Sequence, residues 1–380
     1  MGKNDWSKIA EHLGYVAAKQ KEMTWCVVGA GNGGLAMAGH LGLMGFHVSM
    51  YNRTDEHLNA VRWYRGIDVE GEVSGFGPVL QASAHIEEAI AGADVIMVVT
   101  PSTAHNELAS LMAPFLQDGQ IVVLNPGRTG GALEFKATIE RQGCTARVIV
   151  AEAQTFIYAS RKISPNRAHI YSIKNGVPVS ALPSFLTPAL LKVLDVAFPQ
   201  FLAGSNVLAT SIENIGAVFH PALTLLNAGW IESTGGNFEY YLQGISPSVA
   251  CVLQAIDDER LALARALGIR TVSAREWLYL TYNAVGMDLC SSIRATAGYA
   301  GIKAPRSIDH RYIWEDVPMS LVPMASIASM YDVQTPTINL IIDLANLMLN
   351  QDFRANGRTV RTLGIEGMSV EDLHRLVTEG

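Results

Sequence analysis

The sequence predicts an α/β protein in which a domain built on a parallel β-sheet is followed by an all-α C-terminal domain. Three observations predict this fold. A strand, a glycine-rich turn, a helix and a second strand follow one another within residues 24–54. Strand and helix patterns then alternate up to residue 182, whereas long helical patterns dominate from Pro183 onward. A sheet half followed by a helical half indicates two domains, which we predict at residues 1–203 and 204–380.

Composition excludes several classes of protein. A net charge of −7, without any cluster of basic residues, argues against nucleic acid or an anionic membrane as a partner. No apolar run is long enough to cross a membrane, and the polar N-terminus does not resemble a secretory signal. Since 49% of the residues are apolar and only 17% are charged, much surface must be buried, and we expect a homodimer.

Cysteine usage indicates the compartment. The four cysteines are far apart and show no CxxC spacing; they are Cys26, Cys144, Cys251 and Cys290. Such cysteines are typical of reduced thiols and not of a disulfide or zinc framework. We therefore expect a cytoplasmic protein without a structural metal.

The first strand–turn–helix unit carries a motif for binding a nucleotide. The apolar strand Thr24–Val28 runs into Gly29-Ala30-Gly31-Asn32-Gly33-Gly34, which opens a helix. Gly29 allows the tight turn, Gly31 lets backbone N–H groups approach a pyrophosphate, and Gly34 allows close packing of helix on strand. The helix N-terminus favours the negative charge of that ligand. This context predicts an N-terminal Rossmann dinucleotide-binding domain; the alternative is a glycine-rich turn without a ligand.

The end of the second strand selects the cofactor. An NAD site usually has Asp or Glu at this position, where it accepts a hydrogen bond from the ribose 2′-hydroxyl. This chain has Asn52-Arg53-Thr54 instead, and the guanidinium of Arg53 can hold a 2′-phosphate. We therefore predict NADP(H) as the preferred cofactor and NAD(H) as the second candidate. In the alternative interpretation, Arg53 only stacks on the adenine face.

Two further loops are expected near the cofactor, because ligands bind at the carboxyl ends of parallel strands. The strand Asp94–Val99 ends at Thr100 and Pro101, which we predict to touch the cofactor, although a plain turn is an alternative. A second glycine-rich loop, residues 125–131, also follows a strand and opens a helix, with a structural turn as its alternative.

Strand patterns also occur on both sides of these loops. Residues 66–79 alternate in the manner of a hairpin. The strand Arg147–Val150 is followed by Thr155, and residues 168–182 resemble a hairpin that turns at Lys174-Asn175-Gly176.

One helical segment of the second half carries a polar stripe. In residues 205–227 most positions are apolar, but His220 lies at helical spacing in a line of polar and small residues. Pro221 should bend or break this helix. An imidazole can take or give a proton while hydride moves, so His220 is a candidate acid–base; the alternative is a buried core histidine. A histidine of this kind needs an orienting carboxylate, for which the acids within residues 312–318 are candidates, unless they form a solvated turn.

Several longer motifs resemble the opine dehydrogenases. They are Asn214 to Pro221, residues 224–228, Tyr240 to Val249, Asp258-Glu259-Arg260 and Arg311 to Val317, together with residues 125–127 and 130–135. The sequence is most similar to the bacterial N-(1-carboxyethyl)amino acid dehydrogenases within that family, and the resemblance extends from Thr24 to the C-terminus.

The resemblance implies a reaction and a set of site residues. An α-keto acid such as pyruvate would condense with the amine of an amino acid, and the imine would take hydride from the nicotinamide, or the reverse would occur. It assigns proton transfer to His220 and the orienting carboxylate to Asp316. It also implies that Arg311 binds a substrate carboxylate, and we add Asn214 and Thr155 to the predicted substrate site.

Two departures from the family pattern affect specificity. Asn52-Arg53-Thr54 replaces the acidic strand end of NAD-using relatives. Ser160 stands where some relatives have cysteine, which leaves the amino acid substrate open.

Two other functions fit the same halves. A 3-hydroxy acid or glycerol-3-phosphate-type dehydrogenase would also combine a Rossmann half with a helical half. Such enzymes use a helix lysine, and residues 206–227 contain none. A non-enzymatic NADP-sensing module is the third candidate, and the polar stripe around His220 disfavours it.

Overall fold

The computed structural model describes residues 3–380, with side chains from Lys8 onward, and the chain forms two compact units. Unit 1 contains the residues up to Thr210 together with Met368–Gly380, and unit 2 is Ser211–Gly367. The predicted domain boundary after residue 203 lies close to the first division, whereas the return of the chain to unit 1 at Met368 was not predicted.

Unit 1 is built on two β-sheets. Its strands in chain order are β1 (Thr24–Val28), β2 (His47–Tyr51), β3 (Gly66–Gly71), β4 (Gly75–Pro78), β5 (Gln81–Ser83), β6 (Val95–Val98), β7 (Ile121–Leu124), β8 (Ile149–Ala153), β9 (Tyr158–Ser164), β10 (Arg167–Ile173), β11 (Val177–Leu182) and β12 (Phe201–Ala203). The larger sheet has the order β12-β11-β8-β7-β6-β1-β2-β5.

The larger sheet contains a Rossmann arrangement. From β5 through β2, β1, β6 and β7 to β8, every neighbouring pair is parallel. The chain order reverses between β1 and β6, which is the position where such sheets bind their ligands. The predicted Rossmann fold of the first half is therefore confirmed.

The smaller sheet corrects one prediction. Its order is β4-β3-β10-β9, and β3 and β4 form the hairpin expected within residues 66–79. The hairpin predicted within residues 168–182 is wrong, because β10 pairs with β9 and β3 while β11 pairs with β8 and β12 of the larger sheet. The segment 174–176 therefore links two sheets and does not turn a hairpin.

Helices cover the sheets of unit 1. They are α1 (Lys3–Ala18), α2 (Asn32–Leu43), α3 (Asn59–Tyr64), α4 (Ile86–Ile90), α5 (His105–Met112), α6 (Gly131–Arg141), α7 (Thr187–Leu194) and α8 (Val207–Ile212), which crosses the division between the units. Helix α2 contacts β1 and β2 of the larger sheet and all four strands of the smaller one. Its buried residues join the main core of unit 1.

Within Ser211–Gly367, unit 2 consists of helices joined by loops, with one isolated bridge between Glu239 and Lys303. Its helices are α9 (Ile215–Leu226), α10 (Ala228–Thr234), α11 (Pro247–Ala266), α12 (Ala274–Tyr282), α13 (Leu289–Arg294), α14 (Arg311–Trp314), α15 (Val322–Met330), α16 (Pro336–Leu349) and α17 (Phe353–Asn356). A π-helical turn, Val317–Leu321, precedes α15. The all-α prediction for this half is confirmed.

Charged residues on α11 hold this helix against its neighbours. They are Asp257, Glu259 and Arg260, of which the last two belong to the Asp-Glu-Arg motif. The guanidinium of Arg260 is fully buried, lies 2.6 Å from Oδ1 of Asp257 and donates to the carbonyl of Val272 at 2.7 Å. The carboxylate of Glu259 accepts from the N–H groups of Thr337 and Ile338, which begin α16. Because a carboxylate at a helix N-terminus satisfies unpaired donors, Glu259 anchors α16 to α11.

The last helix, α18 (Val370–Glu379), belongs to unit 1, although the sequence analysis assigned it to the second domain. It buries Leu373 and Val377 completely and contacts β11. An isolated helix of this length is marginal in water, so burial of this apolar face holds it in place. In the described part of the chain, no helix is long and apolar enough to traverse a bilayer.

Candidate active site

The glycine turn after β1 has the close packing that its sequence predicts. Gly29 has φ +115°, and a Cβ on it would lie 2.5 Å from the carbonyl oxygen of Val99. A Cβ on Gly34 would lie 1.8 Å from the carbonyl oxygen of Gly29, so any side chain there would push α2 off the strand. At Gly31 a Cβ would meet no atom within 4 Å. The two flanking glycines are required by packing, and Gly31 leaves a free approach to the backbone.

Two asparagines hold the turn in shape. The side-chain oxygen of Asn52 accepts from the N–H of Ala30 at 3.1 Å, and its amide donates to the carbonyl of Thr54 at 3.0 Å. Asn32 accepts from the backbone N–H of Lys162 at 2.9 Å. Ala30, Asn32 and Asn52 are all predicted cofactor residues. Asn52 shapes the turn through Ala30, and Asn32 ties the turn to β9.

A cavity of about 390 Å³ adjoins the turn on the side of β2. It is lined by the predicted residues Asn52, Arg53, Thr54, Thr100 and Pro101, and by Gly29. The hydroxyl of Thr100 is buried and has no hydrogen-bond partner, as expected of a group whose partner is a ligand.

Glu107 is a cavity residue that the sequence analysis missed. It lies on α5 and also lines the cavity, with its carboxylate 3.4 Å from the guanidinium of Arg53. Both side chains are largely exposed, so the ion pair is weak and a ligand can separate it. The sequence analysis considered only the residues at the end of β2, so it did not identify this carboxylate.

These features together fit a nicotinamide dinucleotide. The first turn of α2 provides N–H groups and a positive dipole end for a pyrophosphate, and Gly31 leaves room for it. The neighbouring cavity provides a cation, a hydroxyl and a carboxylate for a ribose.

In unit 2 the structure brings together the predicted histidine and carboxylate. Nδ1 of His220 lies 2.7 Å from Oδ2 of Asp316, and the side chain of Asp316 is only 1% exposed. His220 lies on α9, and Asp316 is the residue before the π-helical turn. Because the carboxylate accepts a hydrogen bond, it keeps the proton of the neutral ring on Nδ1 and leaves Nε2 for proton exchange.

Tyrosines that were not predicted as site residues surround this pair. The hydroxyl of Tyr241 lies 3.1 Å from Nε2 of His220. Burial raises the pKa of Tyr241 well above its usual value, with a smaller contribution from Tyr312, so its hydroxyl stays protonated and can donate to Nε2. The ring of Tyr312 stacks on the imidazole, with centroids 4.1 Å apart.

Tyr240 fixes the backbone of the histidine. Its hydroxyl donates to the carbonyl of His220 at 3.0 Å and accepts from Thr224 at 2.7 Å. Thr224 lies in the polar stripe that the sequence analysis identified, and the structure shows it completely buried. The sequence motif contained both tyrosines, but it gave no indication of what their hydroxyls contact.

Helix α9 does not break at Pro221, and the alternative of a bend there stays a prediction. Helix α9 runs from Ile215 to Leu226 through Pro221, and the interruption lies earlier, between α8 and α9 at Glu213 and Asn214. The loss of one backbone donor does not end α9 because the helix packs against α11, α14 and α16.

The three predicted substrate residues lie in different surroundings. Arg311 is largely exposed and lies 2.9 Å from the buried carboxylate of Glu315. The amide of Asn214 is buried and donates to Ser320 at 2.8 Å. Thr155, in unit 1, accepts from Nζ of Lys174 at 2.8 Å.

Two family models match this chain, one within unit 1 and one mostly within unit 2. Residues 203–349 match the family model described as NAD/NADP octopine/nopaline dehydrogenase, alpha-helical domain. Residues 24–131 match the NAD-dependent glycerol-3-phosphate dehydrogenase N-terminus. The protein is therefore an NAD(P)-dependent oxidoreductase. These matches agree with the dinucleotide turn and with the His220–Asp316 pair.

A bacterial relative identifies the family. The chain is 34% identical over 361 residues to the opine dehydrogenase of Arthrobacter sp. (strain 1C), with 93% of this chain and 98% of that protein covered. It therefore belongs to the opine dehydrogenase family.

Solved structures agree on the fold. An octopine dehydrogenase structure with NADH and L-arginine matches with a TM-score of 0.78 at 21% identity, over 94% of this chain and 98% of that one. Yersinopine dehydrogenase with NADP+ matches with a TM-score of 0.71 at 17% identity, over 94% of this chain and 98% of that one.

Proposed function

We propose that the protein condenses an α-keto acid, such as pyruvate, with the amino group of an amino acid and reduces the resulting imine, or catalyses the reverse oxidation. The product is an N-(1-carboxyalkyl)amino acid. The observation that carries this proposal is the 2.7 Å contact between His220 and Asp316 in a chain whose other unit contains a dinucleotide turn.

His220 supplies the proton transfer. A nicotinamide dinucleotide held at the glycine turn would supply hydride to the imine carbon, or accept hydride in the reverse direction. In the condensation, the keto oxygen leaves as water and needs a proton, which Nε2 of the protonated His220 can give. In the reverse direction the neutral ring accepts a proton at the same atom. Asp316 stabilises the imidazolium and keeps the ring oriented.

Arg311, Asn214 and Thr155 are proposed to position the substrates. Arg311 can hold a carboxylate if its guanidinium exchanges Glu315 for the ligand, and the exposure of its side chain supports this. Asn214 and Thr155 offer neutral polar groups. Both are already hydrogen-bonded to protein side chains, so they would orient a substrate and not attract it.

NADP(H) is the proposed preferred cofactor, with NAD(H) as the second candidate. Arg53 supports the phosphate-bearing form, while Glu107 in the same cavity favours a free 2′-hydroxyl. The cavity is open enough for Arg53 to leave Glu107 and pair with the stronger anion.

We also propose a cytoplasmic homodimer. Large apolar side chains are exposed on α12 and the segment after it, where Leu280 is 68%, Val285 73% and Met287 94% exposed. A clustered apolar surface of this kind is typical of an interface. Light scattering coupled to size-exclusion chromatography tests this proposal, and a monomer at micromolar concentration would refute it.

A matrix of keto acids and amino acids, each pair followed with NADPH and with NADH, tests the reaction. We expect cofactor oxidation only when both substrates are present, and its loss in His220→Ala. Reduction of a keto acid without an amine would favour the hydroxy acid dehydrogenase, for which the match of residues 24–131 is the supporting observation. Bound NADPH without oxidation for any pair would favour a sensing module.

A further inference from the structure

Lys174 lies at the ligand-binding edge of the larger sheet of unit 1, in the segment that links β10 to β11. Because β11 is antiparallel to β8, with Val179 opposite Ala153, the beginning of β11 lies beside the end of β8. Lys174 is therefore at the same edge as the glycine turn after β1 and the loops after β6 and β7.

Two hydrogen bonds hold Lys174 against the loop after β8. Its backbone N–H donates to the carbonyl of Ile157 at 2.9 Å, and its ammonium donates to the hydroxyl of Thr155 at 2.8 Å. The first bond fixes the origin of the side chain and the second fixes its charged end. The ammonium therefore has a defined position at the sheet edge.

The charge of Lys174 is destabilised where it lies. Lys174 is exposed as a residue, and partial desolvation of its ammonium, together with the nearby charge of Arg128, lowers its pKa to about 8. Arg128 belongs to the glycine-rich loop after β7. An anion beside the ammonium of Lys174 would stabilise its charge.

The strand order indicates whether an anion beside Lys174 would belong to the cofactor or to the substrate. A dinucleotide at the β1/β6 reversal has its adenosine half over β2, next to the cavity at Arg53, and its nicotinamide half on the side of β6 and β7. The next strand in the sheet is β8, so Thr155 and Lys174 lie past the nicotinamide end. This is the place for the reacting molecule and not for the cofactor phosphates.

We propose that Lys174 and Thr155 form a carboxylate-binding subsite for the substrate. The inference rests on the proposed function, because an N-(1-carboxyalkyl)amino acid carries two carboxylates and each of them needs a group that binds it. The ammonium contributes the charge and two of its three N–H donors remain for the ligand. The hydroxyl of Thr155 directs the ammonium, so Thr155 is a positioning residue.

Substitution of Lys174 tests the subsite through a comparison of Michaelis constants. In Lys174→Gln, KM should rise about 10- to 100-fold for either the keto acid or the amino acid, which shows whose carboxylate is held. KM for NADPH and the melting temperature should stay unchanged. Thr155→Val should give a smaller rise for the same substrate. Lys192→Gln, on α7 of the same unit, is the matched control and should change nothing.

The pH dependence separates a binding role from a structural one. As pH rises through about 8, the ammonium of Lys174 loses its proton and the wild-type KM for that substrate should rise. Lys174→Arg keeps its charge, so this rise should disappear below pH 10. A structural lysine would instead give a lower melting temperature in Lys174→Gln and no rescue by arginine.

Calorimetry provides a readout that needs no turnover. Pyruvate and L-alanine are titrated separately into the complex of the enzyme with NADP+, and one of them should bind the wild type at least 10-fold more tightly than Lys174→Gln. Equal binding of both probes to wild type and variant would overturn the subsite. A wild type that binds carboxylates through Lys174 but never condenses them would refute only the proposed function. A condensing enzyme with unchanged constants in Lys174→Gln would refute only the subsite.

Discussion

The hydroxyl of Tyr241 lies 3.1 Å from Nε2 of His220, the ring nitrogen that Asp316 does not contact. Since burial keeps the phenol protonated, Tyr241 donates to the neutral imidazole and accepts from the imidazolium after its hydroxyl rotates. The proposed proton-transfer atom thus has a hydrogen-bonding partner in both of its protonation states.

Tyr241→Phe should lower kcat about 10-fold, because the imidazole loses a hydrogen bond in both states, worth roughly 1.5 kcal/mol when one partner is charged. The affinity for NADPH should not change. Tyr299→Phe is the control, since the ring of Tyr299 stacks on Tyr241 with centroids 4.1 Å apart but belongs to no hydrogen bond with His220. Equal losses in the two variants would mean that the hydrogen bond between Tyr241 and His220 has no specific role in turnover. Steady-state kinetics over pH 6 to 9 make the comparison.

Asp316→Asn should reduce kcat by roughly 100-fold or more while NADPH binding is retained. An amide cannot stabilise the imidazolium, and it can donate to Nδ1 and so favour the wrong tautomer. Fluorescence titration with NADPH and single-turnover kinetics measure the two quantities separately. If cofactor affinity and kcat fell in parallel, Asp316 would serve the fold of unit 2 and not the proton transfer.

The cofactor cavity predicts opposite effects for two neighbouring residues. Arg53→Ala should lower the ratio of kcat/KM for NADPH to that for NADH by about 10- to 100-fold, because a charge-assisted contact to the 2′-phosphate is lost. Glu107→Gln should raise the same ratio several-fold, because the carboxylate near Arg53 no longer repels the phosphate. A ratio that stays constant in both variants would show that the ribose lies elsewhere.

Arg260→Met should destabilise unit 2 by about 3–5 kcal/mol, since it leaves Asp257 charged and fully buried without its partner. Urea unfolding followed by circular dichroism measures the change. Glu259→Gln is a useful comparison on the next residue. It weakens only the cap of α16 and should cost about 1 kcal/mol. Similar losses in the two variants would contradict the buried-pair explanation.

The sequence was most informative where structure is determined locally. The glycine run predicts the turn after β1 because nearby backbone atoms leave no room for a side chain at Gly29 or Gly34. The segment 174–176 has the composition of a hairpin turn, yet its flanking strands pair with β8 and β9 in separate sheets. Strand pairing across two sheets is a long-range property, so local turn composition could not predict it.

In the candidate site, too, local sequence patterns could be read, whereas contacts between distant residues could not. His220 could be found from its polar stripe and Asp316 from the family motif. Tyr241 and Glu107 contribute through contacts to residues 21 and 54 positions away. The family motif contains Tyr241 but does not reveal what its hydroxyl contacts, and no motif contains Glu107. Helix α9 continues through Pro221, because its packing against three helices outweighs one missing hydrogen bond.

The return of α18 to unit 1 affects how the protein can be made. Leu373 and Val377, which follow unit 2 in the sequence, fill buried positions in unit 1. During synthesis, unit 1 therefore stays incomplete until all of unit 2 has been translated. A chain that stops before Met368 would lack part of the unit that is made first.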